Sequence, residues 1–488
     1  FEIVPASRNF EVRPTKSTVQ THLKVTIRKF KNKLTAGRRE RLRLQAIIRR
    51  RDGHITRLTK ERDALKKQLT PIQVPNHHYP AQLIALAVFI VSQANGSLRC
   101  AAKTVAFFAQ LLGWEYGQPS PSTIDNWSRR LGLYALDHLP RQAGKYAAII
   151  DESIQIGREK CLLLLGVKLG QEHSHFAPLT FSDVEVLGVE VQNTWKSDQI
   201  VDFINERLES QPELEVEYVI SDRGSNLLGA FTKLGLDAVS DCSHVIMNAL
   251  KKCLHDYAPL QALTAFMGAY RGRNTLSERS YLCPPTLRAK DRFIRIFHVL
   301  DWVDRLDTFW PQIPRPHRQT LEYVYTPAVQ ELIIILRQLR QIIRVTTRIL
   351  KSSGLNVNSY RAWSKWRVQF STQMIACEIA EQLLKVIDEY FLHHEMLYQK
   401  HQRLLCCSDI IESTFGYYKN KGGMKVISSV VLYLPLLTHS IELDFVRNGL
   451  TTVDQNMLNE WSKRCVCENR FSRLRTMQNE AKNATAAA

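Results

Sequence analysis

No stretch of the sequence is apolar for long enough to span a bilayer. Residues 83–91 and 426–437 are the longest candidates and fall short of the ~18–20 residues a membrane helix requires. Residues 1–10 lack the charged start, apolar core and small-residue cleavage site of a secretory signal. A chain opening on Phe1 reads as a fragment or a processed start, and the protein is expected to be soluble and intracellular, with no membrane partner. Paired cysteine motifs are missing too: the ten cysteines are scattered and make neither a disulfide framework nor a CxxC…CxxC zinc site. Cys406, Cys407, Cys465 and Cys467 read as buried thiols, while His77, His78, His393 and His394 have no companion ligands in sequence.

Acidic residues are also in short supply, 47 against 66 Lys and Arg, for a net charge of +19. The deficit is concentrated: residues 1–70 hold 20 basic and 6 acidic side chains, which is +14 of that charge. So dense a basic block calls for a polyanionic partner, and nucleic acid is favoured over a merely solubilising tail. With 488 residues and 44% hydrophobic content the chain has core enough for two to four domains, since one core stops growing near ~250–300 residues.

Residues 16–69 read as one long helix, bounded by Pro14 and Pro71 and containing only Gly37 and Gly53 as breakers. Leu44, Ile47, Ile48, Ile55, Leu58, Leu65 and Leu69 recur at steps of three, four and seven, short of a strict heptad. Either the helix lies on DNA or pairs two protomers, or it is a solvated helix docked on its own domain. Residues 79–138 follow as three short helices. Ser97 is the expected N-cap of the second, with Leu98, Ala102, Val105, Phe108 and Ala109 inward. Ser120-Pro121 opens the third, with Ile124, Trp127 and Leu131 inward and Ser122, Thr123, Asn126, Arg129 and Arg130 outward. A polar, basic third helix suits a helix-turn-helix DNA reader, and generic three-helix packing fits as well.

From residue 145 the pattern changes to α/β. YAAIIDESIQI, residues 146–156, alternates as a strand with one buried face and one face carrying Asp151. An unpaired buried carboxylate costs several kcal/mol, so Asp151 needs a partner or a metal. Further strands are predicted at 160–168, 186–191, 216–221 and 237–240, with a helix capped by Ser197 and others at 225–234 and from about 242 to 256. Three strands, then helix, strand, helix, strand, helix, is the element order of an RNase H-like domain. Residues 257–400 carry almost no strand signal. Long helices are expected around 287–310, 319–350 and 369–400, and then one helix over 401–421 stopped by Gly422-Gly423. The segment from 424 reads as two helices and a frayed end.

Two acids thus sit at strand ends of one sheet, Asp151 and Asp222. Neighbouring carboxylates repel unless a cation lies between them, and oxygen-only ligation suits Mg²⁺ or Mn²⁺. Two such ions would activate an attacking oxygen and stabilise the leaving one at a phosphodiester. Glu412, on the helix CSDIIESTFGYYKNK, is the candidate third acid. Lys419, seven residues on and about 10 Å along that helix, is a candidate phosphate contact; an ordinary surface Glu and Lys is the alternative.

The ordered set IIDES at Asp151, VISDRGSN at Asp222, DCSHVIMNALKK at His244 and SDIIESTFGYYKNK at Glu412 resembles DDE transposases of the bacterial insertion-sequence type over roughly residues 80–425. PSPSTIDNW resembles the helix-turn-helix segment that many such enzymes carry ahead of the core. The resemblance implies an RNase H-like core in which Asp151, Asp222 and Glu412 bind two Mg²⁺ or Mn²⁺ ions. His244 would act at the site, and Arg223 and Ser225 would touch phosphates. It also implies cleavage at transposon ends by activated water, then attack of the 3′-hydroxyl on target DNA. The enzyme would be a homodimer or larger assembly on DNA, cytoplasmic and nucleoid-associated. The tryptophans at 302, 310, 363 and 366 would stack on an unpaired base or, for most of them, fill the core. Relatives with the E-x6-K spacing often carry Tyr and Arg upstream, where this chain has Leu405 and Ser408. The expected organisation is multidomain α and α/β: a basic arm (1–78), a helix-turn-helix unit (79–144), a core (145–256) interrupted by an all-helical insertion (257–400), the core's last helix (401–423) and a helical tail (424–488). A transposase-derived DNA-binding protein without catalysis and a nuclease without strand transfer are the competing readings.

Overall fold

The structure, a computed structural model, describes residues 16–68, 70–156, 159–170, 179–286, 293–420 and 426–487. It divides into two compact units, residues 1–72 and 73–488. In the first, the described chain is a single helix, α1 (Lys16–Gln68), unbroken at Gly37 and Gly53. The Gly422-Gly423 stop lies outside the described residues. Among the described residues no helix is long and apolar enough to cross a membrane.

The second unit is mixed α/β, and the chain as a whole is 68% helical with one five-stranded mixed sheet. It opens with α2 (Ala81–Ser92), α3 (Leu98–Leu111) and α4 (Pro121–Asp137). The sheet is built from β1 (Gly144–Ile156), β2 (Glu159–Lys168), β3 (Glu185–Gln192), β4 (Leu214–Ser221) and β5 (Ala238–Ser240). Helices α5 (Ser197–Glu209) and α6 (Ser225–Leu234) alternate with the last strands, and α7 (Cys242–Leu254) follows them. A helical block comes next: α8 (Ala258–Asn274), α9 (His298–Phe309), α10 (Arg315–Leu321), α11 (Pro327–Ser353), α12 (Val357–Gln373), α13 (Glu378–His393) and α14 (Glu395–Lys400). The chain closes with α15 (Asp409–Lys419), α16 (Leu443–Thr452), α17 (Gln455–Cys465) and α18 (Arg470–Ala487).

Strand order is β3-β2-β1-β4-β5. β1, β2 and β3 pair antiparallel, and β1, β4 and β5 pair parallel, so β1 is the central strand. Both of its faces are buried, which corrects the expectation of one buried face. Tyr146, Ala148 and Ile150 pack with Phe203, Ile204, Leu227 and Phe231 of α5 and α6. Ala147 and Ile149 face the larger core, which includes Ile246 and Leu250 of α7 and Ile411 and Phe415 of α15. A two-faced strand in a layered α/β unit needs a continuous apolar run, and residues 146–150 supply it.

Several boundaries move. Residues 401–408 are not helical: Leu404 pairs with Leu355 in an isolated bridge, and α15 starts only at Asp409. The pattern over 369–400 is cut at residues 374–377, separating α12 from α13. Ser197 is the first residue of α5 rather than its cap, and its hydroxyl donates to the Asn226 carbonyl. Phe108 is 40% exposed and does not point inward. Trp302 and Trp363 are core residues whose indole N–H groups donate to the Leu282 carbonyl (3.0 Å) and the Asp388 carboxylate (2.9 Å).

The C-terminal segment is a structural part of the unit. The turn at residues 429–433 and helices α16 and α17 pack on α4, and Cys467 N–H donates to the Val191 carbonyl of β3. At Gly132 of α4 the backbone of Leu432 comes so close that a Cβ would sit 1.7 Å from the Leu432 carbonyl oxygen. Gly132→Ala is therefore expected to force α4 and this turn apart and cost about 2–3 kcal/mol or more, read as a lower denaturant midpoint.

The helical block is locked to the sheet at Ser240, the last residue of β5. Tyr390 of α13 donates its hydroxyl to the Ser240 carbonyl (2.9 Å), and Ser240 N–H donates to His394 Nε2 (3.1 Å). The imidazole proton is then on Nδ1, directed at the Tyr390 carbonyl 2.9 Å away. Burial pushes the His394 pKa down to about 4, against the opposing effect of that backbone bond. Unfolded chains bind this proton near the ordinary histidine value of about 6.5, so the stabilisation is complete above that pH and is lost as pH falls towards 4. Its ceiling is about 3 kcal/mol. The thermal midpoint is expected to fall more steeply between pH 7 and 4.5 in the native chain than in His394→Gln.

Candidate active site

Strand register brings three acids to one level. Ile149 of β1 pairs with Ile220 of β4, and Ser221 pairs with Ser240 of β5. Continuing that pairing sets Asp151, within β1, level with Asp222 and Asp241, which directly follow the ends of the adjacent parallel strands β4 and β5, spaced by about 4.8 Å per strand. Their surroundings then differ, and so do their roles.

Asp241 is 1% exposed and serves as the N-cap of α7. Its Oδ1 accepts from His244 N–H (2.9 Å), and its Oδ2 accepts from Ser408 N–H (2.6 Å) and from the Ser408 hydroxyl. Burial alone would raise its pKa, but the bonds from His244 and Ser408 outweigh it and hold the carboxyl below its ordinary value. A carboxylate accepting three bonds is stable as an anion even when enclosed. Sequence reasoning credited this element to His244 and missed the role of Asp241; an Asp opening a helix three residues ahead of a His was the N-cap signal available.

Asp222 is half-buried, just past the end of β4. Its Oδ1 accepts from Gly224 N–H at 2.9 Å, a local turn that orients the carboxylate. Between them Arg223 is held at φ 67°, a left-handed conformation unusual for arginine, with its side chain exposed. Asp151, within β1, is more enclosed: desolvation first, and then the neighbouring Asp222 charge, raise its pKa to about 7, with His244 opposing.

Glu412 arrives on α15, which packs against β1. Four separate contacts position that helix. Ser408, the residue ahead of its first turn, bonds Asp241. Leu405 N–H donates to the Tyr218 hydroxyl of β4 (2.8 Å), and Lys351 pairs with Asp409. At the other end, Tyr417 donates to the Val91 carbonyl (2.9 Å) and accepts from Asn95 N–H (3.1 Å) at the end of α2. Glu412 is 20% exposed, and Lys419 stands exposed at the end of α15.

His244 lies between the acids. Its Nδ1 is 3.7 Å from Asp241 and its Nε2 is 3.6 Å from Glu412, ion-pair distances longer than a hydrogen bond. Asp241 foremost, then Asp222 and Asp151, raise its pKa against the effect of burial. These carboxylates thus favour the imidazolium form of His244.

Among the described residues no group of three or more His, Cys, Asp and Glu side chains is close enough to hold a metal ion. The three acids singled out in sequence are therefore brought to one region without forming a single ligand set. Asp151 and Asp222 are adjacent, and Glu412 stands with His244. The donor chemistry of the aspartate pair fits a hard divalent cation, because a shared ion would offset both the burial and the Asp222 repulsion that raise the Asp151 pKa.

The candidate DNA-reading residues on α4 fare differently. Arg130 donates to the carbonyls of Val453 (2.6 Å) and Leu450 (2.7 Å), Arg129 pairs with Asp125 and donates to Ser429 (3.2 Å), and Asn126 bonds Gln455. These three bond the C-terminal segment and are half-buried, where the sequence suggested side chains facing outward. Ser122 is exposed and, like Thr123, bonds the Ser120 hydroxyl at 2.8 Å. Nothing in the local pattern of α4 signalled that residues 300 positions later would cover it.

No protein-family model matches this chain, and no curated protein matches it.

Asp151→Asn removes a charge that the folded state holds at a cost. Without divalent metal and at pH 8, the variant is expected to be more stable than the native chain by on the order of 1–3 kcal/mol. Millimolar Mn²⁺ should raise the thermal midpoint of the native chain and leave that of the variant unchanged.

Proposed function

We propose that the protein is a DNA transposase of the DDE type, built on an RNase H-like core, which cuts transposon-end DNA and joins the freed 3′ end to target DNA. The observation that carries this reading is the closeness of Asp151 on β1 and Asp222 just past the adjacent parallel β4, where the Asp222 charge acts on Asp151, with the Glu412 helix packed against β1. The β3-β2-β1-β4-β5 order, three antiparallel strands continued by two parallel ones, is consistent with that core.

Asp151, Asp222 and Glu412 would hold the Mg²⁺ or Mn²⁺ ions. When bound, such ions supply Lewis-acid activation of the attacking oxygen and charge neutralisation at the scissile phosphate. The protein's own groups do the rest. Asp241 fixes the starts of α7 and α15, and thereby the reach of His244 and Glu412. His244, whose pKa is raised by the surrounding carboxylates, Asp241 foremost, places its Nε2 3.6 Å from Glu412. Arg223, exposed directly after Asp222, and Lys419, exposed seven residues beyond Glu412, are available to backbone phosphates of the DNA. The net charge of +19 favours the polyanion throughout.

A DNA-binding protein derived from such an enzyme, without catalysis, is the second reading. Nicking of end DNA in Mg²⁺ or Mn²⁺ decides between them. Glu412→Gln is expected to retain DNA binding and lose nicking by on the order of 10³-fold; full nicking by the variant would remove Glu412 from the mechanism. Joining of a 3′ end to a target plasmid separates a transposase from a nuclease.

A further inference from the structure

Three of the ten cysteines meet beside the Asp241 junction, although they come from two distant segments. Cys242 opens α7, while Cys406 and Cys407 lie in the non-helical stretch that leads into α15. The Cys242 N–H donates to the Cys406 carbonyl (2.9 Å), so the two backbones run in direct contact. Around that bond the Cys242 thiol is in hydrogen-bonding contact with the thiols of both Cys406 and Cys407. The Cys407 sulfur is also 4.0 Å from the Ser243 hydroxyl, on the next residue of α7.

A buried cysteine can serve simply as a small apolar side chain. This cluster differs in that thiols touch thiols across two segments, and in their unequal access to solvent. Cys242 and Cys406 are buried, and the Cys406 sulfur faces the Leu350 carbonyl at 3.9 Å. Cys407 is half-buried and open to a small solute. Adjacent residues have Cα atoms about 3.8 Å apart, below the ~4.4–6.8 Å of an ordinary disulfide, so Cys406 and Cys407 are poor partners for each other. Cys242 and Cys407 are left as the pair that combines contact with access.

We propose that Cys242 and Cys407 form a reversible disulfide when the protein meets a hydroperoxide, locking the start of α7 to the segment that launches α15. The Cys407 sulfur, on losing its proton, attacks one peroxide oxygen. An S–O bond forms, the O–O bond breaks, and the released hydroxide takes up the proton as water. The Cys242 sulfur then attacks the Cys407 sulfur. The S–S bond forms, the S–O bond breaks, and the leaving hydroxide takes the Cys242 proton as a second water. The two thiols lose two electrons in all, and the peroxide gains them. The neighbouring Cys242 thiol and burial push the Cys407 thiol up, so the lock closes slowly at neutral pH and answers sustained oxidation. Once closed, it does covalently what Asp241 does through Ser408, and it encloses the whole helical block in one loop, residues 242–407. The lock needs neither DNA nor metal, and its test is independent of the catalytic reading.

The experiment treats the full chain, dilute and with chelator, with millimolar hydrogen peroxide at about pH 8.5, where thiolate is more abundant. Peptide mapping without reductant is expected to find Cys242 joined to Cys407 within one chain, with the loss of two hydrogen atoms, and dithiothreitol should restore both thiols. A loop of this length should raise the thermal midpoint of residues 73–488 by about 3–6 °C, and reduction should return it. Cys407→Ser is expected to show neither the link nor the rise, and Cys406→Ala to keep both. Peptide mapping of the native chain stands even where a variant folds poorly. Peroxide treatment that leaves Cys242 and Cys407 unlinked, a link between chains, or conversion of Cys407 to a sulfinic acid in place of the disulfide would each overturn the proposal.

Discussion

The arrangement of the site depends on one buried carboxylate. Asp241 holds the first turn of α7 with one oxygen and Ser408 with the other, so a single side chain joins the end of β5, the helix bearing His244 and the segment that launches the helix bearing Glu412. An enclosed anion is costly unless its lone pairs are filled, and here filling them requires chain segments 167 residues apart to meet. The helical block supports the same junction from the other side, through Tyr390 and His394 on Ser240. The intervening 150 or so residues therefore frame the site, and their buried tryptophans serve that frame.

Charge explains the rest of the geometry. Three aspartates at one level of a sheet cannot all sit comfortably as anions. Asp241 does so by accepting hydrogen bonds, and Asp151, enclosed and beside Asp222, is left with the raised pKa. His244, whose protonated form these carboxylates favour, lies 3.6 Å from Glu412 as well.

How much of this was legible in sequence varies with the range of the interaction. The five strands, the Ser97 and Ser120 caps and the inward face of α4 could be read because alternation and capping are local. The start of α15 could not: Leu404 looks like part of a helical face until Leu355 pairs with it. Arg129 and Arg130 look like solvent-facing bases because the chain that covers them, residues 426–465, lies far ahead. Ser408, noted only as a departure from a familiar pattern, turns out to hold the Asp241 carboxylate.

By itself the sequence determined the alternation of strands and helices, the basic N-terminal helix and the identity of the acids, since periodicity, charge and capping act over a few residues. Only the tertiary structure decided that Asp241 ties α7 to Ser408, that Glu412 meets His244, and that α4 is covered. Those outcomes rest on strand register and on desolvation, both set by neighbours hundreds of residues away, and no local pattern encodes either.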